Sequence, residues 1–335
     1  MLCILFVRFS SIGDILLTTP LLRAIAHRHP NARLVYVTKR GMAPLVSENP
    51  HVSQVLALEP NESLGEFARR VRTQGPTPTH GLDLHGSLRS AVLRLLVRCR
   101  WSGYGKRKLA RSTLISVGVD LYGTHAREPV AERYFEAARH LDVHPDGGPP
   151  EFHLALGARD RVAQWLAERD LETRSLAALA PGAAHATKRW PVAHWIALAE
   201  ELRRAGFTPV IVGGSDDRGA AQQLAAAGAP DSSAGEFSLQ ETGALIERAR
   251  VLVSGDTGVM HMATGVGTPV VALFGPTVER FGFFPYRSSS AVLQCDLGCR
   301  PCSASGTAAC PLDHHRCMTD LEPAMVARAV ERLVA

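Results

Sequence analysis

Short apolar runs alternate with helix-patterned segments along most of the chain. The first run, LCILFV, is too continuous for a strand with one exposed face, so it predicts a buried strand. A helix with apolar residues at helical spacing begins near Asp14. Further strands are predicted in ARLVYVTK, VSQVLALE and HGLDLHG, and a helix runs from Ser87 to about Arg98. Repeated strand–helix units indicate a parallel sheet with right-handed crossovers.

The alternation is interrupted at residues 144–156 and then starts again. HPDGGPPEFHLAL holds three prolines and two adjacent glycines, which is typical of a linker. Strands are predicted in SLAALAPGA, TPVIVGGSDD, ARVLVSGD and TPVVALFGPT, and a helix in PVAHWIALAEELRRAG. We therefore predict an α/β protein of two Rossmann-like doubly wound domains, residues 1–150 and 151–335, which face each other across a cleft.

Composition restricts the class of protein. Hydrophobic residues make up 46% of the 335 and charged residues 21%, as in globular proteins. No apolar run approaches the roughly 20 residues that span a bilayer, and the N-terminal one is too short for a signal peptide, so we expect a cytoplasmic protein. The net charge of +5 is uneven, because residues 1–150 carry 20 Lys/Arg against 12 Asp/Glu. This excess fits an anionic partner or membrane surface, or an ordinary solvated face.

The strongest chemical signal is SGDTGVMHMATGVGTPVVALFGPT. A predicted strand delivers Asp256, Thr257 and Gly258 to the start of a helix, where backbone N–H groups and the helix dipole favour an anion. His261 lies one turn into that helix and can face the same ligand. The alternative is a helix N-cap by Asp256 with nothing bound.

Two other loops follow strands of the same predicted sheet. APGAAHATKRWP contains Lys188 and Arg189, and a lysine there can neutralise a pyrophosphate, unless the two residues form an ordinary surface pair. GGSDD offers Asp216 and Asp217, whose carboxylates can bind ribose hydroxyls or cap the next helix.

In the first half, RFSSIGDILLTTPLLRAI places an aspartate where a glycine-rich phosphate loop usually lies. Asp14 is either a helix N-cap or a general base aimed at a bound hydroxyl, with Ser10, Ser11 and Gly13 shaping the loop. The absence of G-x-G-x-x-G after the first strand also argues against a dinucleotide oxidoreductase.

A second loop of the first half is LDLHGSLRS, which offers Asp83, His85, Ser87 and Arg89. The segment after it is basic with aromatic residues and fits anion recognition, although for any single cation a solvated surface is at least as probable. Its cations are Arg98, Arg100, Lys106, Arg107, Lys108 and Arg111. The basic excess is modest and no recognition module appears, so no nucleic-acid partner is expected.

Five of the seven cysteines lie in CDLGCRPCSASGTAACPLDHHRCM. Four thiolates in about twenty residues fit a structural zinc ion or iron–sulfur cluster. The four candidate ligands are Cys299, Cys302, Cys310 and Cys317. The spacing matches no metal ribbon, so reduced thiols in a loop are the alternative.

Five segments together resemble the ADP-heptose:lipopolysaccharide heptosyltransferases of glycosyltransferase family 9. They are RFSSIGDILLTTPLLRAI, LDLHGSLRSAVL, SGYGKR, APGAAHATKRWP and SGDTGVMHMATGVGTPVVALFGPT, in the family's order and over nearly the whole chain. The resemblance implies the two-domain arrangement called GT-B and an inverting transfer that needs no metal or other cofactor. It implies an ADP-sugar donor and an anionic lipid-linked glycan acceptor, with peripheral contact at the inner membrane.

The same resemblance assigns roles by position. Asp14 matches the catalytic base, and Lys188 matches the lysine that contacts the pyrophosphate. The expected donor-binding residues of the second domain are Thr187, Lys188, Asp256, Thr257, Gly258 and His261, together with Asp216 or Asp217, between which the sequence does not choose. The expected acceptor-binding residues of the first domain are Ser10, Ser11, Gly13, His85, Arg89, Lys106 and Arg107.

Two alternatives stay open. The Cys-rich tail, Cys295–Cys317, is absent from the best known heptosyltransferases, so a related transferase could use another nucleotide sugar for a different surface glycan. A nucleotide-binding protein without catalysis is the other, and a carboxylate at Asp14 argues against it.

Overall fold

A computed structural model describes residues 1–125, 128–226 and 231–335. The chain forms two compact units, each made from two stretches of sequence. The first unit contains residues 1–106 and 128–153, and the second contains 107–127 and 154–335. Among the described residues, no helix has both the length and the apolar character needed to cross a membrane.

The first unit is built on a five-stranded parallel sheet. Its strands are β1 (Cys3–Val7), β2 (Arg33–Lys39), β3 (Gln54–Leu58), β4 (His80–Asp83) and β5 (Arg100–Gly103). Their spatial order is β3-β2-β1-β4-β5. All of β1 is buried, as expected for a central strand covered on both faces. The order reverses between β1 and β4, and ligands of doubly wound sheets bind in the crevice at such a switch point.

The second unit repeats the design. Its strands are β6 (Leu176–Ala180), β7 (Thr208–Ile211), β8 (Val251–Gly255), β9 (Val270–Phe274) and β10 (Ser290–Gln294). All pairs are parallel and the order is β10-β9-β8-β6-β7, so the switch point lies between β6 and β8. The predicted α/β class with two Rossmann-like doubly wound sheets is confirmed.

Helices follow most strands. In chain order they are α1 (Ile12–Leu16), α2 (Thr19–Arg28), α3 (Leu64–Gln74), α4 (Leu88–Leu96), α5 (Lys108–Val117), α6 (Val130–Arg133), α7 (Leu156–Ala167), α8 (Val192–Arg204), α9 (Arg218–Ala226), α10 (Leu239–Arg248), α11 (Gly258–Val266), α12 (Arg316–Thr319) and α13 (Pro323–Val334). The helix predicted from Asp14 is interrupted after Leu16, because Pro20 in the first turn of α2 cannot continue a preceding helix.

Each unit has its own apolar core. In the first, Phe9 and Phe67 pack with buried residues of β1, β2 and β3. In the second, Trp195 of α8 and Val330 of α13 pack against the central strands. Cys317 belongs to this second core, so the end of the Cys-rich tail is anchored in it.

Candidate active site

The loop after β1 holds a buried ion pair. Nη2 of Arg8 lies 2.6 Å from Oδ1 of Asp14. Nε of Arg8 donates to the carbonyl of Ser10 at 2.7 Å, and Nη1 donates to the carbonyl of Leu84 in the loop after β4. Arg8 therefore ties together the two loops at the switch point of the first sheet.

Asp14 is held ionised by this environment. Burial acts to raise the pKa of its carboxyl, but the Arg8 guanidinium and hydrogen bonds from Ser11 outweigh burial, and the pKa lies below its ordinary value. The Ser11 hydroxyl donates to Oδ2 at 2.8 Å, and the Tyr134 hydroxyl donates to Oδ1 at 3.3 Å. Burial raises the pKa of Tyr134 well above its usual range, so it stays a donor. Asp14 thus acts as the third helical residue of a capping box with Ser11, the N-cap of α1.

The loop after β4 is shaped by Asp83. Its buried carboxylate accepts from the backbone N–H groups of His85 and Gly86 and from the Ser90 hydroxyl. Asp83 is therefore committed to the loop, while Ser87 is the N-cap of α4.

His85 lies edge-on against the Phe9 ring, with the centroids 5.5 Å apart. Burial, followed by the charges of Arg8 and Lys106, lowers the pKa of His85 to about 4, so the imidazole is neutral at pH 7. Its Nδ1 is buried and makes no hydrogen bond with the described residues. Arg89 is exposed, and its guanidinium carbon lies 5.8 Å from the centre of the same Phe9 ring.

The remaining acceptor candidates fall into different surroundings. Gly13 is buried in α1. The Lys106 side chain lies against Gly86, whose φ of +54° favours glycine. Arg107 is the N-cap of α5 and belongs to the second unit.

In the second unit, the loops after β6 and β8 meet through an ion pair. Nζ of Lys188 lies 2.6 Å from Oδ2 of Asp256 and donates to the Asp256 carbonyl at 3.1 Å. Oδ2 of Asp256 also accepts from the Thr277 hydroxyl, in the loop after β9, at 2.7 Å. A Cβ on Gly255 would lie 3.2 Å from the Lys188 carbonyl, so a side chain there would push the two loops apart.

Helix α11 starts at this ion pair. Thr257, not Asp256, is the N-cap, and its side chain makes no cap hydrogen bond, because its hydroxyl pairs with that of Ser254 at 3.1 Å. Gly258 is the first residue of the helix, and His261 is buried one turn later. Uncapped N–H groups at a helix start, next to a lysine, favour a phosphate.

The two aspartates of the loop after β7 differ in environment. Asp216 is exposed. Asp217 is half-buried, accepts from the Gly214 N–H at 2.8 Å, and has a pKa raised by burial and by Asp216. A Cβ on Gly182, in the loop after β6, would approach Oδ1 of Asp217 to 1.7 Å, so that glycine makes room for the carboxylate.

Thr187 faces the Cys-rich tail. Its hydroxyl accepts from the Thr307 N–H at 2.8 Å, and its carbonyl lies 2.9 Å from Nε2 of His315. In the region the structure describes, no group of three or more His, Cys, Asp or Glu side chains is arranged to hold a metal ion. Cys299 is 3.9 Å from Nε2 of His314. Burial, with the neighbouring thiols, raises the pKa of Cys302, and raises that of Cys317 to about 11.

The partners that orient the charged residues were not predicted from the sequence. Arg8 interrupts the apolar pattern at the end of a buried strand, and a charge there is a detectable signal. Tyr134 and Thr277 carry no such signal, because only the tertiary fold brings them to the aspartates.

Comparisons with known proteins identify the family of the chain. The sequence model of glycosyltransferase family 9 (heptosyltransferase) matches residues 67–312. Lipopolysaccharide heptosyltransferase 1 of Pseudomonas aeruginosa is 28% identical, over 99% of this chain and 98% of its own. The solved family 9 glycosyl transferase of Veillonella parvula has a TM-score of 0.82 at 20% identity, over 99% and 97% of the two chains. The E. coli ADP-heptose lps heptosyltransferase II has a TM-score of 0.76 at 23% identity, over 100% and 98%. The chain therefore belongs to glycosyltransferase family 9 and is a glycosyltransferase.

Proposed function

We propose that this enzyme transfers heptose from ADP-heptose to a hydroxyl of a lipopolysaccharide core precursor, with inversion at the sugar carbon. The proposal is supported by family membership and by similarity over nearly the whole chain to lipopolysaccharide heptosyltransferase 1 of Pseudomonas aeruginosa. One structural observation carries it: each sheet has an oriented charged pair at its switch point, Arg8–Asp14 in the first unit and Lys188–Asp256 in the second.

In this mechanism Asp14 is the general base. Its ionised carboxylate accepts the proton of the acceptor hydroxyl while that oxygen forms a bond to heptose C1. Arg8 keeps the carboxylate charged and, through the Leu84 carbonyl, fixes it against the loop that carries His85. A neutral imidazole such as that of His85 has one nitrogen that can accept a hydrogen bond from an acceptor hydroxyl.

The bond between C1 and the distal phosphate oxygen breaks in the same step, and ADP leaves with added negative charge. Lys188 and the N–H groups at the start of α11 are suited to stabilise that charge, and losing one such contact typically costs about 3 kcal/mol of barrier. Asp256 has a supporting role in this scheme, because its carboxylate holds Lys188 and Thr277 and would repel a phosphate oxygen placed against it. Thr257 and Gly258 contribute backbone rather than side-chain groups.

The adenosine ribose is assigned to Asp217 in preference to Asp216. Asp217 lies over the glycine of the loop after β6, the same loop that leads to Lys188, whereas Asp216 faces solvent. Carboxylates accept from ribose hydroxyls in other nucleotide sites.

Calorimetric binding of ADP, UDP and GDP tests the donor assignment. We expect ADP to bind most tightly, Lys188→Ala to weaken it about tenfold or more, and Asp14→Asn, in the other unit, to leave it unchanged. Tighter binding of UDP or GDP would support a related transferase with another nucleotide sugar. Absence of binding by all three would contradict the assignment of a donor site to the second unit.

Helix α4 is the surface we assign to membrane contact. Leu88 and Leu95 are 88% and 82% exposed, and with Val92 and Leu96 they form one apolar face at helical spacing. No Asp or Glu occurs from residue 84 to 119, whereas eight Lys/Arg do. An apolar helix face within a purely cationic segment fits an anionic lipid surface, where a lipid-linked acceptor is held.

Flotation with phosphatidylglycerol-containing vesicles tests this surface. Each inserted leucine contributes about 1.5 kcal/mol, so Leu88→Ser and Leu95→Ser should each weaken binding roughly tenfold. Leu156→Ser, which changes an exposed leucine of α7, is the matched control and should have no effect. Unchanged binding of the α4 variants, or their effect on self-association instead, would contradict the assignment.

A structural zinc ion or iron–sulfur cluster at Cys299, Cys302, Cys310 and Cys317 stays a prediction. The side chains are close enough to raise one another's pKa but are not arranged as ligands. Elemental analysis of purified protein, with Cys299→Ser for comparison, tests it.

A further inference from the structure

The Cys-rich tail, residues 295–317, contacts the loop after β6, which carries Lys188, and the loop after β9, whose Thr277 binds Asp256. Arg300 contacts the loop after β9, and Thr307 and His315 contact the loop after β6. These contacts involve backbone and hydroxyl groups of the loops, so they act on loop position.

Arg300 binds the carboxyl ends of β9 and β10 through several hydrogen bonds. Its guanidinium is half-buried, and all three of its nitrogens donate to oxygens of the β9 and β10 ends. Nη2 donates to the Thr277 carbonyl at 2.8 Å and to the Phe274 carbonyl at 3.2 Å. The other acceptors are the carbonyls of Gly275 and Cys295 and the side-chain oxygen of Gln294. A planar fork of this kind fixes direction in a way that a lysine ammonium does not.

Thr307 holds the opposite loop. Its N–H donates to the Thr187 hydroxyl at 2.8 Å, and its carbonyl accepts from the Thr187 N–H at 3.2 Å. Gly306 has a φ of +100°, and a Cβ there would approach the His185 Cβ to 2.6 Å, so the tail lies directly on this loop. Lys188 is the next residue after Thr187.

We infer that Arg300 and Thr307 are positioning residues for transfer, a role that rests on the proposed function. Arg300 fixes Thr277, and the Thr277 hydroxyl binds the Asp256 carboxylate, which in turn holds the Lys188 ammonium. Thr307 fixes the backbone from which Lys188 projects. The position of the Lys188 Nζ therefore depends on Thr307, through the backbone, and on Arg300, through Thr277 and Asp256. Small displacements of a group that stabilises a transition state lower the rate strongly.

The test compares Arg300→Ala and Arg300→Lys with Arg159→Ala. Arg159 is a fair control, because it belongs to the same unit and makes a bidentate pair with Glu247 and a bond to the Leu154 carbonyl. Three quantities are measured for each variant: the melting temperature, the affinity for ADP, and hydrogen exchange of the Thr187 and Lys188 amides. Transfer kinetics add the split between kcat and the KM of the acceptor.

For Arg300→Ala we expect ADP affinity and kcat to fall about tenfold or more, faster exchange of the two amides, and an unchanged acceptor KM. Arg300→Lys should recover part of the loss, and Arg159→Ala should show none beyond its change in melting temperature. Unchanged exchange and unchanged ADP affinity in Arg300→Ala would overturn the inference. If the wild-type protein binds no ADP, the proposed function fails, and the exchange rates still decide whether Arg300 positions the loop.

Discussion

The Asp14 carboxylate lies 2.6 Å from the Arg8 guanidinium, and the same guanidinium donates to the carbonyl of Leu84. One side chain therefore sets both the charge of the proposed base and its position between the loops of β1 and β4. A lowered pKa makes Asp14 a weaker base, but it keeps the carboxylate ionised throughout the physiological pH range.

Removing Arg8 should make kcat/KM fall at acidic pH. In the wild type the pKa of Asp14 is held below its ordinary value, so Asp14 stays ionised, and the rate limited by it stays flat, down to about pH 4. In Arg8→Met only burial and hydrogen bonds remain to set this pKa, and burial raises it. Kcat/KM should then fall as the pH falls from 7 to 5, because the base becomes protonated.

Arg23→Met is the control for this profile. Arg23 is also largely buried and binds Asp146 and Glu151, but it does not contact Asp14. An Arg8→Met profile identical to that of Arg23→Met would contradict the proposed coupling.

His85 should make the first unit less stable in acid. Its pKa is lowered to about 4, so between about pH 6.5 and 4 the unfolded chain binds a proton that the folded chain does not. Stability is therefore full above pH 6.5 and falls as the pH is lowered, by on the order of 2 kcal/mol after allowance for partial exposure.

Urea unfolding at pH 7, 6 and 5 measures this effect. His85→Gln should show a shallower loss than the wild type, whereas His144→Gln, at an exposed position, should follow the wild type. Equal slopes for all three proteins would show that His85 is not the group responsible.

The losses caused by substituting Lys188 and Asp256 should be non-additive in a double-mutant cycle. In the proposed mechanism Asp256 contributes to transfer by holding Lys188, so Asp256→Asn should lower kcat in the wild-type background and cause no further loss in Lys188→Ala. Transfer rates of the four proteins give the coupling. Additive losses would mean that Asp256 contacts the substrate by itself.

Gly182→Ala should disturb the nucleoside site. The added Cβ would lie 1.7 Å from Oδ1 of Asp217 and would displace that carboxylate, at a cost of about 1 to 3 kcal/mol in stability. ADP affinity should fall as well if Asp217 binds the ribose. Gly214→Ala is the matched control, since nothing lies within 4 Å of its Cβ, and ADP affinity lost equally in both variants would contradict the assignment.

Periodicity and turn residues were sufficient to predict most of the fold. The buried runs of β1, β6, β8 and β9 have the continuous apolar pattern of central parallel strands. Each is followed by a loop that carries polar or charged residues of the candidate site. The edge strands β5 and β10 were not predicted, because their half-exposed sequences carry no such pattern.

The candidate site was predictable only in part. Asp14, Lys188 and Asp256 stand out because charged residues at strand ends are informative in doubly wound sheets. The contacts of Tyr134 with Asp14 and of Arg300 with Thr277 join residues far apart in sequence, and no local sequence pattern predicts them. Likewise, only the structure distinguishes the half-buried Asp217 from the exposed Asp216.

The most direct test of the central claim is transfer of heptose from ADP-heptose to a heptose-free core acceptor by the wild type and by Asp14→Asn. Asparagine keeps the size of the side chain but cannot accept the proton, so we expect kcat to fall at least about a hundredfold while ADP-heptose affinity and melting temperature change little. A variant that transfers heptose at the wild-type rate would contradict the assignment of Asp14 as the base. A wild-type protein that binds ADP-heptose and transfers nothing would contradict the proposed acceptor instead.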